Sequence, residues 1–249
     1  FASPEQTALD FAQIRKLGAN LIQVYHVPAK WFLDLAAEHT LKVLVNIPWN
    51  QHLCFLGSAA QRAEAREAVR RAVAACARHS AVFAFSVANE IAPDIVRWSG
   101  ARAVADFIDD LVQEAKRADP ECLCTFANYP PTEFLRPQSV DFICFNLYLH
   151  QEPQLQSYLA RLQMQAEGKP LLLGEFGMDS NHEGELRRCF PLAPHLAQHL
   201  PQRRGLFGIR QRVGGIDDQR VNPRVGQQHG MPPQHPGVGA QVIPVQRLG

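Results

Sequence analysis

Two glutamates stand where a carboxylate is costly unless it is used. Glu90 closes the stretch VFAFSVANE (Val82 to Glu90), and Glu175 interrupts LLLGEFG (Leu171 to Gly177). Each follows an apolar run of strand character, and a charge at the end of a core strand must find water, a partner or a ligand. Two carboxylates facing one pocket from opposite sides are what glycosidic bond cleavage requires. One is protonated and donates to the leaving oxygen, while the other is ionised and attacks or stabilises the anomeric carbon. Their environments must therefore differ. Either glutamate alone reads equally well as a capping or salt-bridging residue of a loop; the pair, each preceded by a strand and set beside Asn89 or Gly174-Phe176-Gly177, points to function.

Regular elements must bring these distant positions together. Ser3-Pro4-Glu5-Gln6 has a capping-box form with proline at the first helical position, and Gly18 offers that helix its stop. The strand NLIQVYHVP (Asn20 to Pro28), a helix from Trp31 to about His39 and the strand LKVLVNIPW (Leu41 to Trp49) come next. A helix from Ala60 to Arg78 leads to a strand from Ala81 to Val87. The helix Ala101 to Ala118 carries Val104, Phe107, Ile108, Leu111, Val112 and Ala115 at the spacing of one buried face. Then follow the strands CLCTFAN (Cys122 to Asn128) and DFICFNLY (Asp141 to Tyr148), a helix around Leu155 to Ala166, and the strand PLLLGEFG (Pro170 to Gly177). Pro130 and Pro131 allow at most a brief helix between the Cys122 and Asp141 strands.

The strands are continuous apolar runs, as expected where both faces of a parallel sheet are covered. Strands separated by helices imply right-handed parallel crossovers, which leaves an open doubly wound α/β sheet or a closed (β/α)8 barrel. Polar groups gather at the strand C-termini: Tyr25-His26, Asn46 to His52, Asn89-Glu90, Asn128, Asn146 to His150 and Glu175. No glycine-rich phosphate loop follows any strand, so the nucleotide-binding open sheets lose their main support. A barrel with its site at the C-terminal mouth is the expectation.

The bulk composition narrows the partners. With 25 Lys+Arg against 24 Asp+Glu, no electrostatic footprint favours nucleic acid or an anionic membrane surface. No apolar run is long enough to span a bilayer. Cys54, Cys76, Cys122, Cys124, Cys144 and Cys189 show no paired C-x-x-C motif and read as buried free thiols, which points to a reducing cytoplasm. No His and carboxylate spacing suits a metal, and no cofactor is expected. The chain opens on Phe1, which suggests a fragment or a processed product.

From about Glu185 onward there is no further Lys, Glu, Ser, Thr, Tyr or Trp, and no helical or strand period persists. Residues 1–184 are thus expected to form a partial catalytic barrel, and 185–249 an irregular tail or the product of out-of-frame translation. An alternative reading frame of the gene that encodes an apolar strand with Trp or Phe is the check on the second reading.

The segments NLIQVYHVP, VFAFSVANE, FNLY and LLLGEFG resemble strands of clan A glycoside hydrolases, most nearly the family 2 catalytic barrel of β-galactosidases, β-glucuronidases and β-mannosidases. The likeness runs from Leu9 to Ser180. It implies a TIM barrel in which Glu90 is the general acid/base and Glu175 the nucleophile of a retaining mechanism, hydrolysing or transglycosylating a carbohydrate substrate. It further implies that Asn89 bonds the sugar 2-hydroxyl and that Tyr148 holds the nucleophile. His26, Trp49, Asn128 and Asn146 are further substrate-binding candidates, each with a structural alternative: a satisfied strand-end histidine, rim packing, and helix capping for the two asparagines. Trp98 and His150 stand as outer-rim candidates. Gln23 departs from the pattern, since relatives commonly carry Arg there, and the first and eighth strands of a barrel have no counterpart in the sequence. The rival readings are a non-catalytic carbohydrate-binding or scaffold barrel and an unrelated parallel α/β enzyme.

Overall fold

A computed structural model describes residues 2–149, 151–177, 207–208, 241–243 and 245–246. Six strands, β1 (Leu21–Val24), β2 (Lys42–Asn46), β3 (Val82–Asn89), β4 (Cys124–Asn128), β5 (Ile143–Leu147) and β6 (Leu171–Phe176), are joined mostly by helices. The helices are α1 (Pro4–Lys16), α2 (Lys30–Glu38), α3 (Ala59–Cys76), α4 (Pro93–Ser99), α5 (Ala101–Ala118) and α6 (Glu152–Gln165). The Ser3 hydroxyl caps α1 by accepting from the Gln6 amide at 3.3 Å, Pro4 opens it, and Gly18 follows its end at φ +82°. Helix α5 has the bounds its apolar period predicts and buries that same face. Helix α4, seven residues between Pro93 and the positive-φ Gly100, was not anticipated. Between β4 and β5 stands only the one-turn 3-10 helix Pro130–Thr132.

Every pairing among the six strands is parallel, and their order in the sheet is their order in the chain, β1 to β6. A doubly wound sheet reverses that order at a switch point, whereas a barrel winds in one direction. Curvature decides the matter. In a flat sheet β1 and β6 would lie about 24 Å apart, five strand spacings. Here the Tyr25 hydroxyl, just past β1, hydrogen-bonds Glu175 on β6. The sheet is therefore rolled, with helices outside, as six units of an incomplete TIM barrel.

Two cores follow from this. Leu21, Leu44, Ala84, Ala127, Phe142, Cys144 and Leu172 fill the inside of the roll. Their strand neighbours, such as Ile22, Val43, Val45, Phe85, Phe145 and Leu173, pack outward against the helices. Covering both faces is why the strands read as unbroken apolar runs.

The segment Gln241–Ile243 pairs antiparallel with β1, and Val245–Gln246 pairs antiparallel with Phe207–Gly208. These short strands fall in the stretch expected to be irregular. The remainder of that stretch, with the out-of-frame reading attached to it, lies outside the described residues, as do His150 and Cys189. Among the described residues no helix is long and apolar enough to cross a membrane.

Candidate active site

The carboxyl end of β3 is built to turn its last residues inward. The β3–β4 register shifts between Ser86 and Asn89, and the Ser86 hydroxyl donates to the Ala88 carbonyl at 2.9 Å across the irregularity. The Asn89 amide then donates to Gln51 Oε1 at 2.9 Å, and the Glu90 amide to the Ala127 carbonyl at 2.9 Å. Glu90 sits at φ +48°. Among the described residues, the other non-glycine positions at positive φ, Thr40, Arg78 and Glu167, each lie just beyond a helix end, where left-handed backbone is an ordinary stop. Glu90 adopts it at a strand end, where it aims a side chain and costs on the order of 1 kcal/mol.

On β5, Asn146 is 1% exposed and lies in register with Glu175. Its Nδ2 donates to Glu90 Oε1 at 2.7 Å and approaches Asn89 Oδ1 at 3.3 Å. One asparagine thus links the strand that carries Glu90 to the strand beside Glu175. Glu175 is held by two phenols: the Tyr148 hydroxyl donates to Oε2 at 2.6 Å, and the Tyr25 hydroxyl donates to Oε1. Donors aimed at both oxygens stabilise negative charge there. Gln23 Nε2 donates in turn to the Tyr25 oxygen at 3.3 Å. Burial, followed by the charges of Glu90 and Asp94, raises the Tyr129 phenol above its usual value, which sets Tyr129 on the Glu90 side.

The remaining candidates separate by position. Asn128 is buried on the helix side of β4, where its Nδ2 donates to the Thr132 carbonyl at 3.0 Å and its Oδ1 accepts from Tyr129 N and Thr132 Oγ1. That is the cap of the following 3-10 turn. Trp49 donates from Nε1 to the Val87 carbonyl at 2.7 Å and packs edge-on against Phe55 and Phe107, within the outer core. His26 is exposed beside Tyr25, and Trp98 is exposed on α4. Glu90, Glu175, Asn89, Asn146 and Tyr148 are the predicted residues brought together; Tyr25, Gln51 and Tyr129 join them unpredicted as site residues. Tyr25 carried a signal, since it stands among the polar strand ends, but its partner is reached only through the curvature. Gln51 stood in the polar run Asn46 to His52 without being singled out, and Tyr129 gave no signal.

Among the described residues no group of three or more His, Cys, Asp or Glu side chains is placed to hold a metal ion. What the site offers is one carboxyl on a strained strand end, held by an asparagine amide from β5, and on the next strand another clamped by two phenols.

A family model for the TIM barrel domain of glycosyl hydrolases family 2 matches residues 4–192. The chain belongs to that family. Its fold recurs in solved β-glucuronidases. One is the FMN-binding enzyme of Facaelibacterium prausnitzii L2-6, at TM-score 0.61 and 22% identity over 72% of this chain and 28% of that one. The Bifidobacterium dentium enzyme complexed with coumarin-3-O-glucuronide has TM-score 0.62 and 20% identity, covering 72% and 30%. The Dictyoglomus thermophilum enzyme has TM-score 0.59 and 22% identity, covering 72% and 33%. This chain thus spans about a third or less of the length of these neighbours. No curated protein matches it.

Proposed function

We propose that the chain is the catalytic portion of a retaining β-glycosidase in which Glu175 is the nucleophile and Glu90 the general acid/base. The observation that supports this reading is Asn146, in register with Glu175 while its side chain holds Glu90 at 2.7 Å, which sets the two glutamates on either side of one residue at the carboxyl end of the sheet. In the first step a Glu175 oxygen attacks the anomeric carbon while Glu90 passes its proton to the departing oxygen. In the second, Glu90 takes a proton from water, which releases the sugar from Glu175. A sugar hydroxyl in place of that water gives transglycosylation by the same intermediate.

The two phenols stabilise charge on Glu175 before attack. The Asn146 amide fixes the Glu90 carboxyl by donating to its Oε1 at 2.7 Å. Asn89, its backbone anchored by Gln51, is the candidate for the sugar 2-hydroxyl. Neutral glycosides and aryl β-glucuronides, the class of the ligand named for the Bifidobacterium neighbour, form the first substrate panel.

Substitution by the amide separates the roles. Glu90→Gln is expected to lower kcat/KM by about 10²–10⁴-fold on glycosides with poor leaving groups, and far less on a dinitrophenyl glycoside, whose departure needs no proton. Glu175→Gln is expected to abolish turnover of both. Steady-state kinetics that show equal losses for the two variants on both substrates would contradict the assignment.

A further inference from the structure

The inner face of β1 adds two residues to this reading, and the inference rests on Glu175 being the nucleophile. Tyr25 has one hydroxyl proton, and it is given to Glu175 Oε1. The phenol oxygen is then an acceptor, so the Gln23 amide must turn its nitrogen toward it, as it does at 3.3 Å. That orientation has a consequence. Gln23 is fully buried, and its Oε1 has no hydrogen-bond partner among the described residues. It faces inward, 3.7 Å from the point where a Cβ on Gly174 would stand. Flipping the amide would move the nitrogen toward that region, but the phenol would then face a carbonyl and turn its proton to it, away from Glu175. The buried oxygen is left unmatched, and the phenol O–H stays directed at the carboxylate.

We propose that Gln23 and Tyr25 are a positioning pair for the nucleophile, with Gln23 holding the Tyr25 hydroxyl in the orientation that donates to Glu175. Tyr148 holds the other oxygen from the mouth side, half exposed, while the Gln23–Tyr25 pair works from the barrel interior. The carboxylate plane is fixed from two directions, and the oxygen that attacks must slip only one phenol.

The test is a double-mutant cycle on the full chain. Tyr25→Phe is expected to lower kcat by about 10–100-fold, as loss of a hydrogen bond to a charged group does, and Gln23→Leu by about 3–10-fold, each with KM within about twofold. Gln23→Leu in the Tyr25→Phe background should cost nothing more, because Gln23 then has no phenol to orient. Gln23→Leu also removes an unmatched buried acceptor, so its Tm should hold or rise by about 2–4 °C while activity falls. A readout without turnover accompanies these: the Tyr25 hydroxyl proton, followed by NMR on tyrosine-labelled protein, should be protected from exchange and should lose that protection in Gln23→Leu. Losses that multiply in the double variant, a loss carried by KM, or a hydroxyl proton indifferent to Gln23 would overturn the pair. A wild-type chain that turns over no glycoside and takes no label on Glu175 sinks the glycosidase reading instead, and the hydroxyl proton then decides the pair by itself.

Discussion

Gly174 is the residue that lets the two halves of the site meet. A Cβ there would stand 2.7 Å from Cys144 Sγ and 2.9 Å from Asn146 Oδ1, closer than side-chain carbons come. The need is for space, since its φ is not among the positive ones. Asn146 cannot retreat without releasing Glu90, and Cys144 is fully buried beneath the site. Burial first, and then the charge of Glu175, pushes the Cys144 thiol up to about 12, so it stays protonated and neutral at the pH of any assay. Gly174→Ala should therefore cost about 1–3 kcal/mol of stability by overpacking and lower kcat/KM at least tenfold through Asn146. Cys144→Ala in the same chain should return part of both by removing the sulfur. Urea denaturation and kinetics of the two variants check this; independent, additive effects would show that the contact at Gly174 is not what matters. Glu90, Glu175, Asn89 and Tyr148 stood out as candidates because each is a polar strand end, and the place of Tyr148 beside Glu175 was implied by the family resemblance rather than by any local pattern. Tyr25 was visible as a polar strand end yet not as a partner of Glu175, because the pairing crosses the barrel and leaves no local pattern.

At the scale of elements, parity along a strand sorts residues that look alike in sequence. Asn128 and Asn146 both end apolar strands and both invite a cap or a sugar contact. On β4, Thr125 and Ala127 face the roll interior, which turns Asn128 to the helix side, where Thr132 and Tyr129 use its amide on both ends. On β5, Cys144 faces the interior, and so does Asn146 two residues later. Asn128→Ala should thus lower stability by about 1–3 kcal/mol, from stranded partners in the Pro130–Thr132 turn, and leave KM unchanged. A raised KM at unchanged stability would instead return Asn128 to the substrate. Helix α5 was readable to its bounds because a long amphipathic period overdetermines it. Helix α4 was not, since seven residues between a proline and a glycine carry barely two turns of pattern. The irregularity in β3 that aims Asn89 and Glu90 was hidden for the same reason: it depends on pairing with β4, which no local window contains.

For the molecule as a whole, rolling the sheet does what no single strand can. It carries Tyr25 to Glu175 from opposite edges of six strands, gives the interior its own apolar core, and lifts polar strand ends to one mouth. Alternating elements left both a flat doubly wound sheet and a barrel open; the contact between the first and sixth strands settles that question physically, and membership of glycosyl hydrolases family 2 agrees with it. In the proposed mechanism the rolled sheet makes Glu175 a nucleophile toward a sugar. The most direct measurement is incubation with an activated fluorinated β-glycoside, chosen to form the glycosyl-enzyme quickly and release it slowly, followed by mass analysis of the digested protein. One sugar adduct is expected, on the peptide carrying Glu175, absent in Glu175→Gln and slowed in Tyr25→Phe. Binding without any adduct, or an adduct on another residue that survives Glu175→Gln, would contradict it.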